Sequence, residues 1–206
     1  MKSAEVDDAM RCLNVITGEV DLVIIGSQSL HGTAPDVADE IMVSREVDVI
    51  LPHRANLAKW VDEVVGQGTP FESERGYFID HIVPHEGLPV LASGWEDRLL
   101  VREISPGVRQ KYLSPEDLVI ATLAAAREKD RIFVSGMIRR ELVTRENVEL
   151  LLPKVADCYR VGILAQMNLV DRYSDPNYLK EVIAASLDQI QISLSGTSSP
   201  DCAPKR

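Results

Sequence analysis

The short apolar run Asp21–Ile25 (DLVII) stops abruptly on Gly26-Ser27, and this junction constrains the fold more than any other stretch of the chain. An apolar run this short, closed by glycine, reads as a buried strand, because a helix needs roughly ten or more residues to bury a stripe. A glycine at a strand end lets backbone come close to a ligand. The N–H groups that open a short helix over residues 27–31 then suit an anion such as phosphate, with Ser27 and Ser29 as additional hydroxyl donors. The plainer alternative is an ordinary turn.

The rest of the pattern is mixed. Residues 4–16 read as a helix with Ser3 as N-cap. Residues 46–51 (EVDVIL) alternate charged and apolar positions before Pro52, the period of a strand with one polar face. Residues 56–65 place Leu57, Trp60, Val61, Val64 and Val65 at helical spacing, with Trp60 expected in the core, and Gly66 and Gly68 stop the helix. Residues 71–83 read as a hairpin turning near residues 73–76, and residues 99–104 as a further strand. Ser114-Pro115-Glu116-Asp117 is a helix start, with a capping Ser, Pro at the first helical position and an acid three residues after the cap. That helix is expected through residue 126, a second over residues 130–141, and more helix to residue 193, broken at Pro153 and Pro176. The expected fold is α/β (α+β), a mixed β-sheet with flanking helices followed by a C-terminal helical region. Its parts are an N-terminal helix (1–20), the sheet-bearing domain (21–143), the C-terminal helices (144–194) and a polar Ser/Pro-rich flexible tail (195–206).

Three acids carry the chemical interest. Alternation puts Glu46 and Asp48 on one face of their strand, with Cα atoms about 6–7 Å apart. Two such acids repel unless they are solvated or bridged by a cation, and Mg²⁺ shared with substrate phosphates would satisfy both. A solvent-facing acidic strand is the alternative. Asp80 stands in the otherwise apolar stretch Tyr77-Phe78-Ile79-Asp80, where an acid needs a partner or a role. It completes a three-carboxylate set and offers a base for the attacking group, or it is a strand position facing water.

Taken together, Ile25-Gly26-Ser27, Ser44-Arg45-Glu46-Val47-Asp48-Val49 and Phe78-Ile79-Asp80 resemble the active-site pattern of the DNA polymerase beta-type nucleotidyltransferase superfamily. Tyr112-Leu113-Ser114-Pro115-Glu116-Asp117-Leu118, Leu123-Ala124-Ala125-Ala126-Arg127-Glu128-Lys129-Asp130 and Gly94-Trp95-Glu96-Asp97-Arg98-Leu99 look like a bacterial group of nucleotidyltransferase-like proteins related to toxin–antitoxin and abortive-infection components. The resemblance covers roughly residues 21–143. It implies a nucleotidyltransferase-like sheet and a two-metal Mg²⁺ site at Glu46, Asp48 and Asp80. It also implies that these are the catalytic residues and that a nucleoside triphosphate (NTP) is held near Gly26, Ser27 and Ser29. Arg127 and Lys129, at the junction of two expected helices, would neutralise triphosphate charge; otherwise they belong to surface ion pairs. The acceptor is a protein side chain, an RNA end or a small molecule. The rival expectation is a degenerate site on the same fold, acting as a binding module with a protein partner, for example in a toxin–antitoxin pair. Glu46, where aspartate is commoner, points that way, as does Ala121-Thr122 at a place where the group often carries lysine.

Composition narrows the partners. Of 206 residues, 32 are acidic and 22 basic, a net charge of −10 that argues against broad nucleic-acid binding. No segment approaches the ~20 apolar residues of a membrane span, and the first ten residues lack the apolar core of a signal peptide. Three scattered cysteines, Cys12, Cys158 and Cys202, fit a reducing cytoplasm better than a disulfide framework, and Cys12 and Cys158 are expected as small core residues. His81 and His85 are broken by Pro84 and would stand about 13 Å apart on a strand, which disfavours a shared metal. His31 either touches substrate or caps its short helix. Trp95 either packs under the domain or shapes a cleft. Neither Gly-x-Ser-x-Gly nor a Walker-type Gly-Lys-Ser/Thr occurs.

Overall fold

The computed structural model describes residues 1–41, 44–81, 90–173, 175 and 177–178, the side chains of residues 39–41 and 81 excepted. Its centre is a five-stranded mixed sheet in the order β3-β2-β1-β5-β4. The strands are β1 (Asp21–Ile25), β2 (Glu46–Ile50), β3 (Phe78–His81), β4 (Leu100–Ser105) and β5 (Val108–Tyr112). β1 runs antiparallel to β2 and parallel to β5, β2 and β3 are parallel, and β4 and β5 form an antiparallel hairpin.

Every residue of β1 is buried, as expected of a central strand. Its side chains alternate between two cores. Leu22 and Ile24 join Val47, Val49, Ile79 and Tyr112 beneath α1 (Ser3–Thr17), whose Val6, Ala9, Met10 and Leu13 fill that side. Val23, Ile25 and Ile50 face the other way, into a core shared with the C-terminal helices. Those helices are α5 (Pro115–Ala124), α6 (Glu128–Arg139), α7 (Arg145–Leu151) and α8 (Asp157–Tyr173). Between the strands lie α2 (Pro35–Ile41), α3 (Ala58–Val65) and α4 (Pro70–Arg75).

Several sequence expectations need correction. The hairpin expected over residues 71–83 is, over its described residues 71–81, a helix followed by a strand. Thr69 caps α4 by accepting a hydrogen bond from the Glu72 N–H, Pro70 sits in the first turn, and Gly76 closes the helix at φ 78°. This Thr-Pro-x-Glu start outweighs the strand preference of Phe71. Trp60 is 42% exposed, because α3 buries Val61 and Val65 and turns Trp60 and Val64 outward. Cys158 is exposed and Cys12 only half-buried. Strand β5 and helix α2 were not anticipated. Trp95 packs against the core of the C-terminal helices. Ser114 does cap α5, accepting from the Asp117 N–H. Helix α6 starts and stops two residues early, and α5 ends at Ala124. The expectations for residues 82–85, Pro176, residues 179–206 and the His81 side chain lie outside the described residues.

Candidate functional site

The ladder brings the expected acids together. Ile25, the last residue of β1, pairs with Asp48, and Asp48 pairs on its other side with Asp80. Residues paired across strands share a face, and alternation puts Glu46 on the same face. Val47, Val49 and Ile79 point the opposite way and are fully buried, so the register cannot slip without reversing the core. Glu46 and Asp48 are half-buried and Asp80 is exposed.

Gly26 lies directly against Asp48. Its backbone sits at φ 63°, ψ −165°, a region that only glycine occupies readily. A Cβ built there would meet Asp48 Oδ2 at 2.2 Å. The turn at the end of β1 and the central carboxylate are thus in contact.

Burial pushes the Asp48 carboxyl up to about 7, and the charges of Glu46 and Asp80 add to the rise, while Arg127 and Lys129 oppose it. The charges of the two basic residues at the α5–α6 junction therefore reach the acids in β2, although they are distant in sequence. Arg127 hydrogen-bonds Asp130 at 2.8 Å, and its guanidinium is held charged mainly by Asp130, then by Glu46 and Asp48. The junction carries a backbone signature too: Ala126 sits at φ 58°, unusual for a residue with a Cβ.

The remaining expected site residues divide. Ser27 opens the 3-10 turn Ser27–Gly32 and is half-buried. Ser29 is fully buried, and its hydroxyl donates to the Ile24 carbonyl at 2.7 Å, turned toward the strand. His31 is buried with Nε2 3.1 Å from Gln28 Oε1, a packed position inside the turn. Among the described residues, no group of three or more His, Cys, Asp or Glu side chains is arranged to hold a metal ion by itself.

Next to the acids is a cavity of about 290 Å³ lined by Glu46, Asp62, Gly66, Gln67, Phe78, Ile79 and Asp80. It lies on the β3 side, at the edge of the sheet. Sequence reading placed neither Asp62 nor Gln67 near the site. The signal available was Gly66-Gln67-Gly68 after an amphipathic helix, which marks only where the helix stops.

Residues 2–183 match the model of a family described as "Nucleotidyltransferase of unknown function (DUF6036)". No curated protein and no solved structure matches. The matched stretch takes in α1, the whole sheet and α5–α8.

Proposed function

The chain belongs to this nucleotidyltransferase family, and from that premise we propose that it moves a nucleotidyl group from an NTP to an acceptor at the Gly26–Asp48–Asp80 junction. The observation that carries the reading is the contact between Gly26 and Asp48, where a Cβ would stand 2.2 Å from a carboxylate oxygen. It sets the turn that ends β1 and the central carboxyl of the acid set side by side.

The donor set fits Mg²⁺. It offers hard carboxylate oxygens, and the Asp48 carboxyl, raised first by burial and then by the charges of Glu46 and Asp80, is a group whose ionised form a cation would stabilise. Mg²⁺ is commonly held by one or two carboxylates plus substrate phosphates, so a closed protein cage is not required beforehand. Glu46 and Asp48 would hold the ion, with Asp80 as a further ligand or as the base. Bound there, the ion would polarise the α-phosphate and offset charge on the departing pyrophosphate.

The chain's own residues supply the rest. Gly26 and Ser27 border the triphosphate, and Arg127 and Lys129 face its charge from the α5–α6 junction. The acceptor hydroxyl gives its proton to the Asp80 carboxylate as its oxygen bonds the α-phosphorus. The bond from that phosphorus to the bridging oxygen breaks, and pyrophosphate leaves with the electron pair.

Calorimetry of each NTP, with and without Mg²⁺, on wild type and Asp48→Ala tests the proposal. Binding that requires both Mg²⁺ and Asp48 is expected. A second reading, a binding module built on a degenerate site, draws on the lack of a preformed three-acid metal group among the described residues. Failure of all four triphosphates to bind would replace the first reading with the second, and the search would turn to a protein partner.

A further inference from the structure

Arg98 and Arg145 use up their guanidinium groups inside the fold. Arg98 binds the buried Asp117 through Nε and one terminal nitrogen, at 2.7 and 2.8 Å, and gives its remaining N–H groups to the Ala92 and Ser93 carbonyls. Arg145 divides its three nitrogens among Glu149, Asp171 and Asn168. Arg127 differs. Its side chain gives only Nε, to Asp130 Oδ2 at 2.8 Å, and among the described residues neither terminal nitrogen donates a hydrogen bond.

The acid of this pair is tied down while the guanidinium is open. The Asp130 side chain is 7% exposed and that of Arg127 59%. The same Oδ2 also accepts from the Arg127 N–H at 3.3 Å, which fixes the acid against the start of α6. A carboxylate this buried is costly unless a cation answers it. A plain cap does not need one: Thr69, Ser114 and Thr144 cap α4, α5 and α7 with neutral hydroxyls. The turn before α6 is pinned from α8. Arg131 Nε donates to Gln166 Oε1 at 2.6 Å and its terminal nitrogen to the Ala126 carbonyl at 3.2 Å, while the Tyr173 hydroxyl donates to Glu128 at 3.2 Å. The Arg127 guanidinium thus leaves a fixed backbone with its Nε edge taken, and its charge reaches Glu46 and Asp48.

We propose that Asp130 is a positioning residue for the nucleotide: held through Nε, Arg127 presents its two terminal nitrogens to oxygens of the triphosphate. The inference rests on the transfer reading above and names what aims the charge in it. A guanidinium fork takes a phosphate through two parallel N–H donors. A side chain ordered in advance saves the cost of ordering it on binding, worth roughly two- to tenfold in affinity. Net charge alone predicts the opposite sign. Asp130 is an acid beside the arginine that meets the phosphates, so its removal would tighten triphosphate binding if only charge mattered.

Calorimetry of ATP, GTP, CTP and UTP with Mg²⁺ on the full chain reads that sign. For the triphosphate that wild type binds tightest, Asp130→Ala should weaken binding about fivefold. Asp130→Asn, which keeps an acceptor for Nε, should stay within about twofold of wild type. On an Arg127→Ala background, Asp130→Ala should have no further effect on affinity, although loss of the cap should still lower the melting temperature. By NMR, the Arg127 Nε–H should exchange slowly in wild type and Asp130→Asn, and fast in Asp130→Ala, with or without nucleotide. Unchanged or tighter triphosphate binding in Asp130→Ala, an equal loss with Arg127 absent, or a fast-exchanging Nε–H in wild type overturns the inference and leaves the transfer reading standing. Should Asp130→Ala fail to fold, Arg127→Lys decides. It keeps the charge but has neither an Nε–H for Asp130 nor a fork, so a loss of about fivefold is expected, and wild-type affinity overturns the inference. If the wild type binds no triphosphate, the transfer reading falls and takes this inference with it.

Discussion

Asp48 is held in a tension that pH can relieve. Its carboxyl titrates near 7 in the folded chain, above its ordinary value of 3.8, because burial and two neighbouring acids disfavour the charge. A raised folded value means that the stabilising share is full below the unfolded value and is lost as pH climbs through the folded one. The wild type should therefore lose stability between about pH 4 and pH 7 from this group. Asp48→Asn should melt above wild type at pH 8, by roughly 1 kcal/mol or about 2–4 °C for a chain of this size, and show little gain at pH 4. Thermal melts of both proteins at the two pH values check this; equal shifts at both would refute it. Gly26→Ala should do the reverse. It forces a Cβ toward Asp48 Oδ2 and strains a backbone at φ 63°, at a cost on the order of 1–3 kcal/mol. Adding Asp48→Ala should return part of that loss, a coupling that a double-mutant cycle measures directly.

At the scale of elements, the caps and the α5–α6 junction set the geometry. Thr69→Ala removes the N-cap of α4 and should cost about 1 kcal/mol in chemical denaturation. Ala126→Gly should gain up to about 1 kcal/mol, because a residue with a Cβ in the left-handed region costs roughly 1–2 kcal/mol and glycine's entropy takes back part of the gain. A loss instead would mean that the Ala126 methyl is needed where it stands. These elements also show what the sequence made readable. β1, β2 and the Ser114-Pro115 start of α5 carry strong local signals: a closed apolar run, strict alternation and a cap with proline behind it. The strand β5 (VRQKY) carries little strand signal because three of its five residues are polar. Gln110 is nonetheless fully buried, with Arg102, Tyr112 and Asp7 around it, a network that appears only after folding. The turn Pro106-Gly107 between two short runs was the available hint. α4 reads as strand in the sequence because Phe71 near its start favours strand. The acids of the site were readable by spacing; their pairing through Ile25–Asp48–Asp80 was not, since strand order depends on contacts far apart in sequence.

For the whole molecule, one sheet divides two cores. α1 covers one face and α5–α8 the other, and both share the strands β1 and β2. Unfolding should therefore be a single transition. Leu13→Ala beneath α1 and Leu118→Ala in α5, both essentially fully buried, should each lower the same transition by about 2–5 kcal/mol. Two separable transitions by calorimetry would show that the halves are independent.

The contact between Gly26 and Asp48 also bears on inheritance. While the acid is kept, any side chain at position 26 collides with it. Once the acid is lost, that collision goes, and only the backbone angle still resists a larger residue. Among descendants of this chain, glycine at 26 and aspartate at 48 should persist as a pair and decay in order, acid first. Copies that have drifted at both positions would then mark lineages in which the site has been retired.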